Sequence, residues 1–425
     1  MVFADDVKAC ECMKTYLVGG AVRDRLLAYP VKEFDWLVVG ETSESMLARG
    51  FRPVGKEFPV FLHPVTQDEY ALARTERKTA PGYKGFEVYA APEVTLEEDL
   101  LRRDLTINAM AIDSEGCLID PFHGQADLDK RILRHVSPAF SEDPVRILRV
   151  ARFAARYAHL GFKVAAETLT LMQTMVGNGE ADYLVAERVW AELFKALQEP
   201  TPAVFFQVLR DCRALKVIFP EIDALFGVPQ PAQYHPEIDT GVHTLMVLEQ
   251  AAGLSDKVEV RLAALLHDLG KALTPGELWP SHHGHEEKGL RVLETFCDRL
   301  RIPKAYKNLC VLVMKYHTHC HRALELRANT LTDLLQTLSA FKPTGNLEEF
   351  VLACEADARG RTGFENRAYP QAEFLRLAAR AGRAIDADAV LQSNLQGEEI
   401  GQAIRNLRIT AINAFKQQYN SSELI

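Results

Sequence analysis

Hydrophobic positions along the chain change their spacing once. Up to about residue 133 they come in short runs, such as YALAR at 70–74 and CLID at 117–120, set between loops rich in Gly and Pro such as 80–85. Short β-rich runs bounded by turn residues predict the strands of a mixed head. From Asp143 onward apolar residues recur at three- and four-residue spacing, over 153–157, 167–175, 186–197 and 202–209. That period predicts amphipathic helices, so a helical neck and body follow the head. The fold class is α+β. Tyr157, Phe162, Trp190, Phe205 and Phe206 lie in the helical part, where aromatic residues are expected in the core rather than as base-stacking positions.

The most informative chemistry sits at the start. LVGGAVRD at 17–24 is followed by Glu33, Phe34 and Asp35, the last two opening the apolar run 34–39. This predicts a strand, a two-glycine turn, a short helix and a strand carrying two carboxylates. Glycine lets backbone N–H groups approach a phosphate closely, and the helix that follows presents the positive end of its dipole. Side chains two apart on a strand share a face, so Glu33 and Asp35 are expected to point together. Paired hard oxygen ligands beside a phosphate cradle suit Mg²⁺-dependent nucleotidyl transfer. Either motif alone is common on solvated surfaces; their order and spacing is what carries the reading.

Two longer segments extend it, EDLLRRDLTINAM at 98–110 and EDPVRILRVARF at 142–153. In the second, Arg146, Arg149 and Arg152 recur every three residues with Asp143 one step earlier. On a helix starting near Pro144 they are expected to form one charged stripe. Guanidinium groups bind triphosphate oxygens bidentately, and an Asp beside an Arg offers an acceptor and donors to the edge of a base. The alternative is an exposed basic helix face with salt bridges.

With these segments the chain resembles the DNA-polymerase-β-like nucleotidyltransferases, and among them the bacterial class II tRNA CCA-adding enzymes and their poly(A) polymerase relatives. The resemblance implies that Glu33 and Asp35 hold Mg²⁺ and that Gly20 and Arg23 contact the nucleotide. Arg103, Arg149 and Arg152 would grip phosphates, Gly19 would help to position the triphosphate, and Asp143 and Arg146 would read the incoming C or A without a nucleic acid template. Many members carry Asp at both metal positions; Glu33 adds a methylene at the first, which is expected to alter geometry without loss of metal. The implied substrates are tRNA, CTP and ATP. The motifs of this half do not separate CCA addition from A-tailing.

A second site is expected after the Pro-rich link GVPQPA at 227–232. His243 precedes the pair His267 and Asp268, which ends the apolar run 262–266, and His282, His283 and His285 follow. A buried Asp needs a strong partner, and imidazoles with carboxylates suit a divalent transition metal whose bound water hydrolyses a phosphoester. His243, His267 and Asp268 resemble the HD phosphohydrolase pattern, with Asp357 in CEADARG at 354–360 as its final Asp. The resemblance implies a metal such as Ni²⁺ and hydrolysis of phosphomonoesters and 2′,3′-cyclic phosphates. His317, His319 and His321 follow no ligand spacing, and hydrogen-bonded or surface positions are expected for them.

Poly(A) polymerases of this type generally lack an HD module, whereas one group of proteobacterial CCA-adding enzymes carries it. The implied architecture is an extension over 1–12, a polymerase-β-like head over 13–137, an all-α neck and body over 138–227, an HD domain over 240–341, and a helical tail over 342–425 that supplies Asp357. Met13 offers an alternative start.

Composition narrows the partners. At 425 residues the chain has room for two to four domains. A formal net charge of −9 argues against non-specific coating of nucleic acid and fits a shaped, transiently bound RNA. The eight cysteines lack paired ligand spacing and are expected as reduced thiols, mostly packed as small hydrophobes, in a cytoplasmic enzyme. No run approaches a membrane span, and no signal peptide is expected at the start. Oligomeric state stays open, a homodimer included. Two rival readings are a protein whose HD site is the principal activity and a non-catalytic RNA-binding protein; the intact carboxylate pair weighs against the first and the net acidity against the second.

Overall fold

The computed structural model describes residues 13–31, 33–54, 59–78, 86–386, 390 and 395–422. The extension expected over 1–12, with Cys10 and Cys12, and the loop 80–85 lie outside the described residues. The chain divides into two compact units, one running to Leu193 and including Val204–Ile218, the other comprising Phe194–Ala203 and Phe219–Ile425.

Alternation in the first apolar runs builds the head of the first unit. Strands β1 (Lys14–Val18), β2 (Asp35–Val39), β3 (Arg52–Val54), β4 (Val60–Leu62) and β5 (Glu69–Leu72) are followed by a separate hairpin of β6 (Thr75–Lys78) and β7 (Phe86–Tyr89), then by β8 (Ala111–Ile112) and β9 (Leu118–Ile119). Seven of them form a sheet in the order β3-β4-β5-β2-β1-β8-β9, antiparallel except where β2 runs parallel to β5. Successive residues of β2 serve opposite faces, as a pleated strand requires. Val38 joins Met46, Phe51, Phe61, Tyr70 and Leu72 on one side. Leu37 joins Val18, Val94, Leu100 and Ala111 on the other. The remainder of this unit is mainly helical, with Val145–Tyr157 and Ala166–Gly177 its longest complete helices and one short parallel pair, Ile132–Leu133 with Lys163–Val164.

The apolar run 34–39 is not strand throughout. Strand β2 begins at Asp35, and Glu33 precedes it. Phe34 is exposed, so the run lacks the buried flank that would extend the ladder by two residues.

The second unit packs helices Thr240–Leu254, Val258–Leu266, His285–Arg299, Lys304–His321 and Leu347–Arg359 together, with Pro370–Arg383 and Glu398–Ser422 beyond them. Small residues let three of these approach closely: Val247, Ala251, Ala264 and Ala356 form one buried cluster. The Leu347–Arg359 helix, assigned from sequence to the tail, thus lies among the helices that carry His243 and His267.

Aromatic residues of the helical region are mainly core. Tyr157, Phe162, Phe205 and Phe206 are buried and Trp190 is half-buried. Of the described cysteines, Cys212, Cys297, Cys310, Cys320 and Cys354 are buried free thiols and Cys117 is an exposed one.

Candidate active sites

In the head, register brings the glycine turn and the carboxylates together. Val18 pairs with Asp35 across the β1–β2 ladder, so the residue after Val18, Gly19, turns beside the start of β2. Gly19 has φ +68°, ψ −127°, a conformation open to glycine and strained for other residues. A Cβ there would lie 2.9 Å from Arg103 Nη1 and 4.0 Å from Asp35 Oδ2, which locates a guanidinium and a carboxylate on either side of the turn. The helix after the turn spans Gly20–Leu26, only seven residues, so its dipole is a small term beside the arginines.

Desolvation is the main reason the Asp35 carboxyl sits above its ordinary pKa; Arg103 opposes the rise, the charge of Glu33 adds to it, and Arg23 opposes. A like charge beside Asp35 creates a demand for a cation, and two carboxylates are hard oxygen donors suited to a divalent ion. The parallel register also sets Glu69 opposite Asp35, an acidic neighbour that the sequence motifs did not flag.

The arginines do not form an exposed stripe. Steps of three residues drift about 60° around a helix, and each guanidinium is held by a different element. Arg146 donates to the carbonyls of Ala139 (2.8 Å) and Arg102 (2.5 Å). Arg149 pairs with buried Asp104 (2.7 Å), and Arg152 with Glu192 (2.7 Å). Arg23 reaches Asp24 (2.8 Å) and Asn108 (2.5 Å), while Arg103 pairs with fully buried Asp99 (3.1 Å). Arg23, Arg149 and Arg152 also surround the Phe153 ring, 5.1, 5.7 and 4.5 Å from its centroid. Asp143 accepts from both terminal nitrogens of Arg188, at 3.1 and 2.7 Å. The cluster is preorganised rather than solvated. Asp104, Arg188 and Glu192 were not assigned roles because they act by holding the motif residues, and spacing along the chain does not reveal partners 40 or more positions away; Asp24, next to Arg23, also binds the Tyr157 hydroxyl.

In the second unit, His243, His267, Asp268 and Asp357 converge from two helices, Thr240–Leu254 and Leu347–Arg359, and from the turn after a third, Val258–Leu266. His243 Nε2 is 3.2 Å from Asp357 Oδ1 and 3.9 Å from Asp268 Oδ2, and His267 Nε2 is 3.0 Å from Asp268 Oδ2. Both imidazoles commit Nδ1 to carbonyl oxygens, His243 to Gly360 (3.0 Å) and His267 to Ala264 (2.7 Å). Glu237 Oε1 adds a second acceptor 3.0 Å from His243 Nδ1. In neutral rings that leaves lone pairs at Nε2, aimed at carboxylate oxygens. His267 Nε2 and both Asp268 oxygens are buried without a well-formed hydrogen bond, their polar neighbours being one another, Lys271 and His285 at ion-pair distances. Lone pairs and carboxylates facing one another in a buried space fit a metal cation.

Electrostatics point the same way. Burial opposes a charge on His267, yet Asp268 and Asp357 outweigh it and hold its pKa above the ordinary value. Burial alone would raise Asp268; His267 and Lys271, whose Nζ is 2.6 Å from Oδ2, keep it well below the carboxylate range.

Three histidines given no ligand role from sequence join this centre. His285 Nε2 is 3.2 Å from Asp268 Oδ1 and 3.3 Å from His317 Nε2, and His321 Nε2 is 2.6 Å from Asp357 Oδ2. His317 and His321 are hydrogen-bonded, as expected, but their partners include His285 and Asp357 of this cluster. Their i,i+4 spacing puts both on one face of the Lys304–His321 helix, a signal available in the sequence. His285 comes close because Gly270 lacks a Cβ, which would meet the His285 carbonyl oxygen at 1.9 Å. His282 instead ties two loops through Thr274 and Pro229, His283 is exposed, and His319 packs on Tyr316. Asp268, His285 and His317 form a second metal-capable group, and His235, Glu237 and His243 a third.

Three stretches of the chain match known families. Residues 15–134 match the Poly A polymerase head domain family, 161–226 the family described as the probable RNA and SrmB-binding site of polymerase A, and 240–357 the HD domain family. The fold and its two sites define a polymerase-head protein with an HD domain, a class that uses divalent metals.

The multifunctional CCA protein of Methylococcus capsulatus is 65% identical over 95% of this chain and 95% of its own length, and that of Thioalkalivibrio sulfidiphilus 62% identical over 96% and 100%. The chain belongs to the family of multifunctional CCA proteins. An apo CCA-adding enzyme structure covers 96% of the chain and 90% of its own at TM-score 0.67 and 20% identity. The Thermotoga maritima CCA-adding enzyme complexed with tRNA covers 96% and 88% at TM-score 0.64 and 21% identity. At that identity the likeness is one of fold.

Among the described residues no helix is long and apolar enough to cross a membrane.

Proposed function

We propose that this protein adds and repairs the 3′-terminal CCA of tRNA from CTP and ATP, without a nucleic acid template, and that its HD domain hydrolyses phosphomonoesters, including 2′-nucleotides, and 2′,3′-cyclic phosphates. The observation that carries the first activity is the register that puts Asp35 opposite Val18, so that the carboxylate pair meets the Gly19 turn and Arg103. Glu33 and Asp35 would hold Mg²⁺, which neutralises the triphosphate and lowers the pKa of the attacking 3′-hydroxyl.

The chain's own groups orient the reactants. A guanidinium has five N–H donors, and the internal contacts of Arg23, Arg103 and Arg149 use part of them, leaving others for triphosphate oxygens, while Arg152, paired with Glu192, adds positive charge beside them. Gly19 and Gly20 keep the turn free of side chains where the nucleotide approaches. Asp143, its carboxylate fixed by Arg188, and Arg146, anchored on two carbonyls, are suited to present an acceptor and donors to the base. Fixed groups discriminate between bases because a mismatched edge leaves buried polar atoms unpaired.

In the HD centre His243, His267, Asp268 and Asp357 would hold a divalent transition metal such as Ni²⁺, with Asp268, His285 and His317 offering room for a second ion. Such an ion supplies a bound water of lowered pKa. Each site draws its residues from one chain, so a homodimer is compatible with the reading without being required. A cytoplasmic setting is in keeping with the free thiols.

Incubation with tRNA lacking its 3′ end, Mg²⁺, CTP and ATP is expected to add two C and one A and then stop. The head family's description favours one second reading, poly(A) polymerase, and an open-ended A ladder would establish it instead. For the HD centre, His267→Ala is expected to abolish 2′,3′-cyclic nucleotide hydrolysis and leave CCA addition; equal loss of both would defeat the two-site reading.

A further inference from the structure

We propose that Tyr369 and His321 are positioning residues that fix which oxygen of Asp357 faces the metal, an inference that rests on reading the HD centre as a metal site. Asp357 divides its two oxygens. Oδ1 lies 3.2 Å from His243 Nε2 and 3.7 Å from His267 Nε2, on the side where lone pairs converge. Oδ2 lies 2.6 Å from His321 Nε2. The other ring nitrogen of His321, Nδ1, is 2.9 Å from the Tyr369 hydroxyl.

These contacts have one consistent direction with a neutral ring. The Tyr369 O–H donates to Nδ1, which leaves the ring proton on Nε2, and Nε2–H donates to Oδ2. The Cys320 thiol is 3.3 Å from the Tyr369 oxygen, but sulfur is a weak partner and does not replace the shorter contact. With Oδ2 occupied, the carboxylate offers the metal Oδ1 alone, in a fixed plane. Arg361, 3.5 Å from Oδ1, is a further charge near that oxygen.

The relay starts outside the segment recognisable as an HD domain. That segment ends at Asp357, whereas Tyr369 immediately precedes the Pro370–Arg383 helix, whose Gln371 Nε2 donates to the His321 carbonyl at 3.1 Å. Two hydrogen bonds therefore tie the start of the tail to the residue that holds Asp357. The tail becomes part of the metal site's support, as outer hydrogen-bond partners are for metal ligands generally.

The test is Co²⁺ binding to the full-length metal-free protein, read by competition with a chromogenic chelator and by the visible absorption of the bound ion. His321→Ala is expected to weaken Co²⁺ about 10- to 100-fold and to change the spectrum. Tyr369→Phe, which removes one hydroxyl, is expected to act in the same direction and less. His321→Gln, whose amide N–H can still donate to Oδ2, is expected to restore part of the affinity. The metal-free thermal midpoint of Tyr369→Phe should stay within about 2 °C of wild type, separating positioning from packing.

Wild-type affinity and spectrum in both His321→Ala and Tyr369→Phe would overturn the relay. So would complete loss in His321→Ala and His321→Gln with no change in Tyr369→Phe, since His321 would then be a ligand. If wild type and Asp268→Ala bound Co²⁺ alike, the metal-centre reading itself would fail, and the relay with it.

Discussion

The two proposed sites would solve the same problem, gathering carboxylates around a cation, in opposite surroundings. In the head, Glu33 precedes the strand that exposed Asp35 opens, and the charges that balance the partly desolvated Asp35 carboxyl come from Arg103 and Arg23, locked in place by Asp99 and Asp24. In the HD centre the proposed ligands are themselves buried, on or directly after helices that also form the core. An open carboxylate pair can accept a metal that arrives with a nucleotide. A buried set holds its metal before any substrate comes. The cost of removing a ligand should differ accordingly: activity alone in the head, activity and fold together in the HD centre.

Asp35→Ala makes the sharpest test of the open side. Nucleotide addition should fall about 10³-fold or more, as for loss of a group that stabilises transition-state charge. Stability should stay within about 0.5 kcal/mol, because no core contact is lost at an exposed position. A urea titration beside the tRNA extension assay measures both. A large stability loss would break the comparison.

Asp268→Ala tests the buried side. The carboxylate holds Lys271 and neighbours His267 and His285 in a site closed to water. Breaking a buried charge cluster costs about 3–5 kcal/mol, so the urea midpoint of the metal-free protein should drop as hydrolysis disappears. Unchanged stability would mean that the cluster is held apart by its own repulsion until a metal binds.

Much of the head was legible because its motif residues are close in sequence. Gly19, Arg23, Glu33 and Asp35 span two strands and one turn, and local rules suffice for those. The strand boundary at Asp35 was not legible, since an exposed Phe34 looks apolar in sequence. Nor was the fate of the arginine stripe, because it depends on Asp104, Arg188 and Glu192, residues brought in by tertiary packing. In the HD centre the adjacent pair His267 and Asp268 betrayed the site. The approach of His317 and His321 to Asp268 and Asp357 was not legible from ligand spacing along the chain, although their four-residue separation puts both on one helix face. His285 depends on the close approach at Gly270, which becomes visible only in three dimensions.

Gly19→Ala sharpens the comparison at the backbone. A positive φ strains alanine by about 1–2 kcal/mol, and the new Cβ would sit 2.9 Å from Arg103 Nη1. Displacing that guanidinium should lower nucleotide addition about 10- to 100-fold, mainly through kcat. HD hydrolysis should be unchanged. If the substitution left addition intact, the turn would be a structural connection and the phosphate grip would lie elsewhere.

The smallest effect concerns the acids that hold the arginines, and it appears only at low pH. Burial alone would raise the Asp104 pKa, but the Arg149 charge, hydrogen bonds from Asn108 and Arg149, and the Arg146 charge outweigh it and hold the carboxyl below its ordinary range. In the unfolded chain an Asp titrates near ~3.9. Because the folded pKa is the lower of the two, the unfolded state binds more protons between them, and the pair's contribution to stability, fully present above about pH 5, is lost as pH falls toward the folded value. Urea midpoints measured from pH 6 down to pH 3 should therefore decline more steeply for wild type than for Asp104→Asn, which cannot ionise. Parallel declines would show that Arg149 is held without Asp104, and the head's preorganised arginines would have to be attributed to the aromatic platform of Phe153 instead.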